Sequence, residues 1–107
     1  MNGVQVATTA GSQEAAQRLA DAAVTERLAA CAQVEGPLAS VYRWQGGVER
    51  ATEWRCLCKT TAARAPALIA RLRALHPYEV PEIVVTPIVD GDPEYLAWIE
   101  HSVSPEG

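Results

Sequence analysis

The chain has 107 residues and a net charge of −4 at pH 7, and hydrophobic residues make up 49% of it. This length and composition predict one domain, spanning residues 1–107, with a real apolar core, and the acidic balance disfavours nucleic acid because phosphate groups would be repelled. No apolar run approaches the roughly 20 residues that cross a bilayer, so no membrane segment is expected.

The first part of the chain predicts a strand, a helix and a second strand. Residues 4–9 alternate between apolar and polar types, as a strand does. Ser12 is a good N-cap for a helix that ends near residues 26–28. Residues 31–44 are rich in β-favouring types and predict a second strand, interrupted by a bend or bulge at Gly36-Pro37.

A hairpin follows directly. Gly46-Gly47 offers two positions that tolerate positive φ, and residues 48–60 return as a third strand. The end of this strand alternates between an apolar and a polar face. The apolar face carries Trp54, Cys56 and Cys58, and the opposite face carries Glu53, Arg55 and Lys59.

The second part of the chain predicts a helix, a strand and a last helix. The helix begins between Thr61 and Ala65, with Pro66 in its first turn. Residues 83–89 are almost continuously apolar, which is typical of a strand covered on both sides. Asp92 as N-cap starts a third helix over residues 93–103.

The order β-α-β-β-α-β with an added C-terminal helix predicts an α+β, ferredoxin-like fold with a long hairpin between its second and third strands. A compact domain of this length is about 34 Å across, whereas the third strand would span about 44 Å. The end of the hairpin, with Tyr42, Trp44, Val48 and, at its limit, Trp54, would then stay exposed unless the hairpin bends sharply and covers itself. Exposed aromatic hairpins favour pairing with another chain, so we expect a closed homo-oligomer.

The segment between the second helix and the last strand is the richest in chemistry. Residues 76–82 place an imidazole, a phenol and two carboxylates on backbone stiffened by Pro77 and Pro81. One interpretation is a rigid turn in which His76 caps the helix end. The other is a ligand or metal site that uses His76 and Glu79.

Several motifs resemble those of the CutA divalent-cation tolerance proteins, from Val4 to about Ile99. They are Leu28-Ala29-Ala30-Cys31, Ser40-Val41-Tyr42-Arg43-Trp44-Gln45-Gly46, Lys59-Thr60, His76-Pro77-Tyr78-Glu79-Val80-Pro81-Glu82-Ile83, Pro87-Ile88 and Tyr95-Leu96-Ala97-Trp98. The resemblance implies a homotrimer of ferredoxin-like subunits, similar in architecture to the PII signalling proteins. It also implies a weakly held divalent metal ion, with copper foremost.

Carried over by position, Cys31 matches the cysteine of the family's L-A-A-C element and His76 the histidine of its H-P-Y element. With Glu79 they are the candidate metal ligands. Some members carry a further cysteine in the first strand, where this chain has Thr8, and that difference weakens a Cu(I) site. Candidates for a subunit interface or cleft are Tyr42, Trp44, Glu49, Lys59, Tyr78 and Trp98.

The three cysteines also bear on location. Their odd number and the lack of C-x-x-C spacing argue against a disulfide framework or a common zinc site. Cys56 and Cys58 are expected to pack in the core. No Lys or Arg precedes the first apolar run, so no secretory signal is expected and the protein is predicted to be cytoplasmic.

The leading hypothesis is a trimeric divalent-cation binding protein without catalysis, whose partners are metal ions and further copies of itself. An alternative is a PII-like sensor that binds a small anionic metabolite through Lys59 or Arg43. A third is an enzyme that uses Tyr78, Glu79 and His76 for proton transfer. A structural or anchoring trimer stays open as well.

Overall fold

A computed structural model describes residues 2–105, and this part of the chain forms the predicted order of strands and helices. The elements are β1 (Gly3–Ala10), α1 (Gln13–Thr25), β2 (Cys31–Trp44), β3 (Gly47–Thr61), α2 (Ala65–Leu75), β4 (Ile83–Pro87) and α3 (Pro93–Val103). The two predicted caps are present. Ser12 accepts a hydrogen bond from the Ala15 N–H at 3.1 Å, and Asp92 accepts one from the Tyr95 N–H at 3.0 Å.

The four strands form one antiparallel sheet in the order β2-β3-β1-β4, which confirms the ferredoxin-like prediction. Small residues of α1 allow it to pack closely on the sheet, and Leu68 and Leu72 of α2 complete the core. As predicted, Cys56 and Cys58 are fully buried in this core, and their Sγ atoms lie 3.8 Å apart. No helix within residues 2–105 has both the length and the apolar character needed to cross a membrane.

The hairpin extends well beyond the rest of the sheet. β1 pairs with residues 54–61 of β3, so residues 47–53 pair only with residues 38–44 of β2. We call residues 38–53 the hairpin overhang. It makes the chain 45 Å long but only 25 and 21 Å across, and it leaves Tyr42, Trp44 and Val48 exposed. The prediction that a single chain does not cover its own hairpin is confirmed.

A β-bulge separates the overhang from the sheet. The β2–β3 register shifts between Glu35 and Leu38, opposite Trp54. Gly36 lies in the bulge because the Trp54 ring leaves no room for a side chain, and a Cβ atom there would be 2.5 Å from Trp54 Cδ1. Beyond the bulge, Glu53 pairs with Leu38 and is 8% exposed, so the polar face of β3 is also buried at this position.

The last strand differs from the prediction in length and in burial. β4 ends at Pro87 rather than at residue 89, because β1 begins at Gly3. The Gly3 carbonyl accepts the Ile88 N–H at 2.9 Å, and the described residue before it, Asn2, lies outside the strand. The expectation of cover on both sides is wrong within one chain. β4 is an edge strand, paired only with β1, and Val84 and Val85 are exposed.

Substitution of Gly36 by Ala tests the bulge. The added methyl group has to displace the Trp54 ring, so we expect a loss of about 1–3 kcal/mol in the free energy of unfolding, as for other overpacked sites. Urea denaturation measures it. Gly47→Ala is the matched control, since its Cβ would meet only the Trp44 carbonyl oxygen, at 3.7 Å. Equal stability of both variants would contradict the close contact.

Candidate functional site

A cleft of about 540 Å³ opens between the hairpin overhang and the segment of residues 76–82. The overhang forms one wall, the segment after α2 forms the other, and the end of β1 contributes Thr9. The full lining is Thr9, Tyr42, Arg43, Trp44, Glu53, Tyr78, Glu79, Val80, Pro81 and Glu82. We refer to this space as the cleft.

His76 holds the second wall in place. α2 ends at this residue, since Pro77 cannot continue the helix. The buried His76 ring bonds through Nε2 to the Thr9 carbonyl at 2.8 Å, and its Nδ1 accepts the Tyr78 N–H at 3.1 Å. Because a carbonyl only accepts and a backbone N–H only donates, the proton of this neutral ring is on Nε2. The segment is therefore tied to the end of β1.

This arrangement supports the rigid-turn interpretation of His76, though not through the helix cap that was expected. The ring donates to the carbonyl of β1 rather than to a carbonyl of α2. It also packs against the Tyr78 ring, with centroids 4.9 Å apart. Both ring nitrogens are occupied, so a metal ion at His76 would have to displace one of these hydrogen bonds.

Glu53 and Tyr78 connect the two walls. The Tyr78 hydroxyl donates to Glu53 Oε2 at 2.9 Å, and Glu53 is only 8% exposed. The ion pairs found within residues 2–105 are Arg55–Glu35 and Arg71–Glu26, and neither involves Glu53. Partial burial raises the pKa of Tyr78 to about 12, helped by the hydrogen bond to Glu53 and by its charge.

The lining combines negative charge with aromatic rings. The carboxylates of Glu53, Glu79 and Glu82 outnumber the guanidinium of Arg43. Tyr42 and Trp44 lie two residues apart on β2, so their side chains are on the same face of the overhang. Tyr78 lies on the opposite wall. Such a cleft is suited to positively charged ligands, since carboxylates pair with cations and ring faces attract them.

Four of the residues predicted for an interface, cleft or metal site line this cleft, namely Tyr42, Trp44, Tyr78 and Glu79. Cys31 is not among them. In the sheet, Cys31 pairs with Lys59 of β3, and Lys59 pairs with Gln5 of β1. Gln5 lies four positions along β1 from Thr9, whose carbonyl binds His76. At ~3.4 Å per residue this separates Cys31 from His76 by about 14 Å along the sheet.

One chain therefore does not bring Cys31, His76 and Glu79 together. Among residues 2–105, no group of three or more His, Cys, Asp and Glu side chains is arranged to hold a metal ion. These three residues stay predicted ligands, and further groups from a second copy would be needed to complete a site.

The other candidates lie outside the cleft. Lys59 donates to Gln33 Oε1 at 2.6 Å, and Glu49 faces the solvent near the hairpin turn. Trp98 packs against Tyr95 on α3, with ring centroids 5.4 Å apart. Partial burial and the nearby Cys31 thiol raise the pKa of Tyr95. Cys31 therefore lies beside α3, which carries Tyr95.

Two residues of the cleft were missed by the sequence analysis. The predicted position of Glu53 is the polar face of β3, and Thr9 is predicted only as the end of a strand. The sequence carries no signal for the burial of Glu53, because its hydrogen-bond partner Tyr78 lies 25 residues further along the chain. No signal in the sequence linked Thr9 to His76, which lies 67 residues away.

Comparison with known proteins gives consistent matches. The sequence model of a family described as CutA1 divalent ion tolerance protein matches residues 4–102. A relative from Thermus thermophilus, named Divalent-cation tolerance protein CutA, is 48% identical over 97 residues, 91% of this chain and 94% of that protein.

Solved structures agree over the whole fold. The crystal structure of CutA from Xylella fastidiosa has a TM-score of 0.94 at 38% identity, covering 97% of this chain and 100% of that one. The structure of a protein from Archaeoglobus fulgidus, described as periplasmic divalent cation tolerance protein CutA, has a TM-score of 0.92 at 33% identity, covering 95% and 99%.

The bond between Tyr78 and Glu53 predicts the alkaline titration of the tyrosines. Tyr78 should ionise near pH 12, and Glu53→Gln should lower its pKa, because the repelling charge is lost. The pKa of Tyr78 should stay above the ordinary value of about 10, since burial remains. Absorbance titration of tyrosinate, with circular dichroism as a check on folding, measures this. Three tyrosines that ionise together near the ordinary value would contradict it.

Proposed function

Because the chain belongs to the CutA1 divalent ion tolerance protein family, we propose that it is a homotrimer that binds divalent cations, copper foremost, at or near clefts between its subunits. The observation that carries this proposal is the buried residue Glu53, which forms no ion pair with a Lys, Arg or His among residues 2–105 and shares the cleft with Glu79 and Glu82. A buried carboxylate is costly without a compensating positive charge.

Assembly is supported by the surfaces that one chain leaves open. The hairpin overhang exposes aromatic and β-branched side chains, and β4 presents an exposed apolar edge. Such surfaces favour closure with further copies. Three is the number implied by the family resemblance, and the PII-like arrangement of subunits comes from the same resemblance.

Copper is supported by the ligand types that the family motifs carry. Thiolate and imidazole groups suit copper, and carboxylates add charge. Cys31, His76 and Glu79 provide one of each. Since these residues lie apart within one chain, we propose that neighbouring subunits bring them, or equivalent groups, to a shared metal ion.

Catalysis is not part of the proposal. At neutral pH the raised pKa of Tyr78 keeps its phenol protonated, so it is a poor base. The two nitrogens of His76 are occupied by hydrogen bonds to Thr9 and Tyr78. The predicted location of the protein in the cytoplasm stays a prediction.

A second candidate function is the binding of a small metabolite, as in the PII-like alternative. The volume of the cleft favours it, since about 540 Å³ lies within the range of small-molecule sites, roughly 300–1,000 Å³. Of the two basic residues suggested for an anionic ligand, Arg43 lines the cleft and Lys59 does not. The excess of carboxylates there disfavours an anion.

Sedimentation tests the assembly. We expect a single species of about three times the chain mass of 11.5 kDa at micromolar concentration. Val48→Glu in the overhang should shift it toward a monomer, because a charge would be placed where chains are proposed to meet. Val24→Glu, on α1, is the matched control and should leave the mass unchanged. A well-folded wild-type monomer at this concentration would contradict the proposal.

Calorimetric titration with Cu²⁺ tests the metal site. We expect binding by the wild type and at least about tenfold weaker binding by Cys31→Ala and Glu79→Gln, since a charged ligand contributes roughly 1.5–3 kcal/mol. His76→Ala requires a parallel measurement of stability, because it also removes the contact with Thr9. Glu100→Gln, on exposed α3 surface, is the control. Unchanged affinity and stoichiometry in the double variant of Cys31 and Glu79 would exclude these ligands.

A further inference from the structure

The core holds a small cluster of polar side chains that the proposed function does not use. Cys56 and Cys58 are fully buried, and their Sγ atoms contact each other at 3.8 Å. Thr8 is fully buried as well, and its hydroxyl is the one buried side-chain nitrogen or oxygen among residues 2–105 that lacks a hydrogen-bond partner. A buried hydroxyl without a partner is destabilising, so this position requires an explanation.

The strand register brings these three side chains together on one face of the sheet. Thr8 lies directly opposite Cys56 in the β1–β3 pair, so their Cβ atoms are about 4.5–5.5 Å apart. Cys58 follows two residues along β3 and therefore shares the face of Cys56. This face packs against α1 and α2 in the apolar core. We call Thr8, Cys56 and Cys58 the thiol cluster.

The distance between the two sulfur atoms matches that of two ligands on one metal ion. Two Zn–S bonds of about 2.3 Å at a tetrahedral angle set their sulfur atoms about 3.8 Å apart, which is the separation of the Sγ atoms of Cys56 and Cys58. Thiolates select soft metal ions. The hydroxyl of Thr8 offers a third donor, since its oxygen lone pairs are not used by another described residue.

The apolar surroundings indicate the charge of the ion. On the β2 side of the cluster, Val34 pairs with Cys56 and Ala32 pairs with Cys58, so no charged side chain adjoins it there. A metal ion displaces one proton from each thiol. Two thiolates and a divalent ion then form a neutral unit, whereas a monovalent ion would leave a negative charge in the core. Because uncompensated buried charge is costly, the cluster favours a divalent ion.

We propose that the thiol cluster binds a soft divalent metal ion of the Zn²⁺ and Cd²⁺ class, with the thiolates of Cys56 and Cys58 and the hydroxyl of Thr8 as ligands. Binding releases two protons, one from each thiol, and gives the Thr8 hydroxyl a partner. The site lies within one chain and uses none of the ligands proposed for copper. It therefore stands independently of the function proposed above.

Refolding in the presence of Cd²⁺ tests the inference, because both thiols are open to the ion before the chain folds. Cys31→Ala is the background, since it removes the third thiol and with it a ligand proposed for copper. The full chain is refolded from urea with a phosphine reductant, and unbound metal is removed by gel filtration. We expect one Cd²⁺ per chain and the ultraviolet absorption of sulfur–cadmium bonds.

Loss of either core thiol should weaken this binding. In the same background, we expect Cys56→Ala and Cys58→Ala to bind Cd²⁺ at least about tenfold more weakly, because each loses a charged ligand. Competition with a chelator of known affinity measures the change, and circular dichroism checks that each variant folds.

Thr8→Val tests the site without a change to either thiol. The substitution replaces the unpaired hydroxyl by a methyl group, so the metal-free variant should be at least as stable as the parent chain. Its affinity for Cd²⁺ should nevertheless fall severalfold, because one ligand is lost. Urea denaturation of the metal-free chain and the chelator competition give these two results separately.

The inference is overturned if the refolded chain retains no Cd²⁺, since the two thiols would then serve only as core packing. Unchanged affinity in Cys56→Ala, in Cys58→Ala or in Thr8→Val would overturn it too. Retention of Cd²⁺ by the background chain, with no binding of Cu²⁺ by the wild type, would remove the function proposed above and leave this inference standing.

Discussion

The difference in length between β1 and the hairpin is the constraint on which the rest of the structure depends. β1 has eight residues, whereas β2 and β3 have 14 and 15. Where β1 ends, the hairpin continues as a two-stranded ribbon with no third strand beside it. The overhang therefore has exposed faces, and it provides one wall of the cleft at the edge of the sheet.

The other wall depends on a single buried side chain. His76 joins the end of α2 to the end of β1 through the Thr9 carbonyl, and it also orders the backbone of Tyr78. Tyr78 then reaches across to Glu53 on the overhang. Three hydrogen bonds thus fix the distance between two walls that lie far apart in sequence, so the cleft is preformed within one chain.

The charge of the cleft agrees with the family description. Carboxylates attract cations, and a metal ion is held where several ligands converge on it. Among residues 2–105 the ligands do not converge in this way. The same lining would become a metal site only if neighbouring subunits placed further groups near Glu79.

The sequence by itself determined the order of the elements, the caps at Ser12 and Asp92, the burial of Cys56 and Cys58, and the excess length of the hairpin. These features depend on local periodicity, turn chemistry and strand length, which are readable along the chain. Tyr42 and Trp44 were also predicted from the exposed end of the hairpin, and Tyr78 and Glu79 from the polar, proline-stiffened segment after the second helix.

Only the tertiary structure decided that β4 is an exposed edge, that Glu53 faces the cleft, and that His76 binds Thr9 while Cys31 lies elsewhere. Burial of β4 depends on which neighbours the sheet order leaves beside it. The burial of Glu53 accompanies its hydrogen bond with Tyr78, 25 positions away, and the contact between His76 and Thr9 joins residues 67 positions apart. Such long-range pairings leave no periodic trace in the sequence, since they are set by how the elements pack in space.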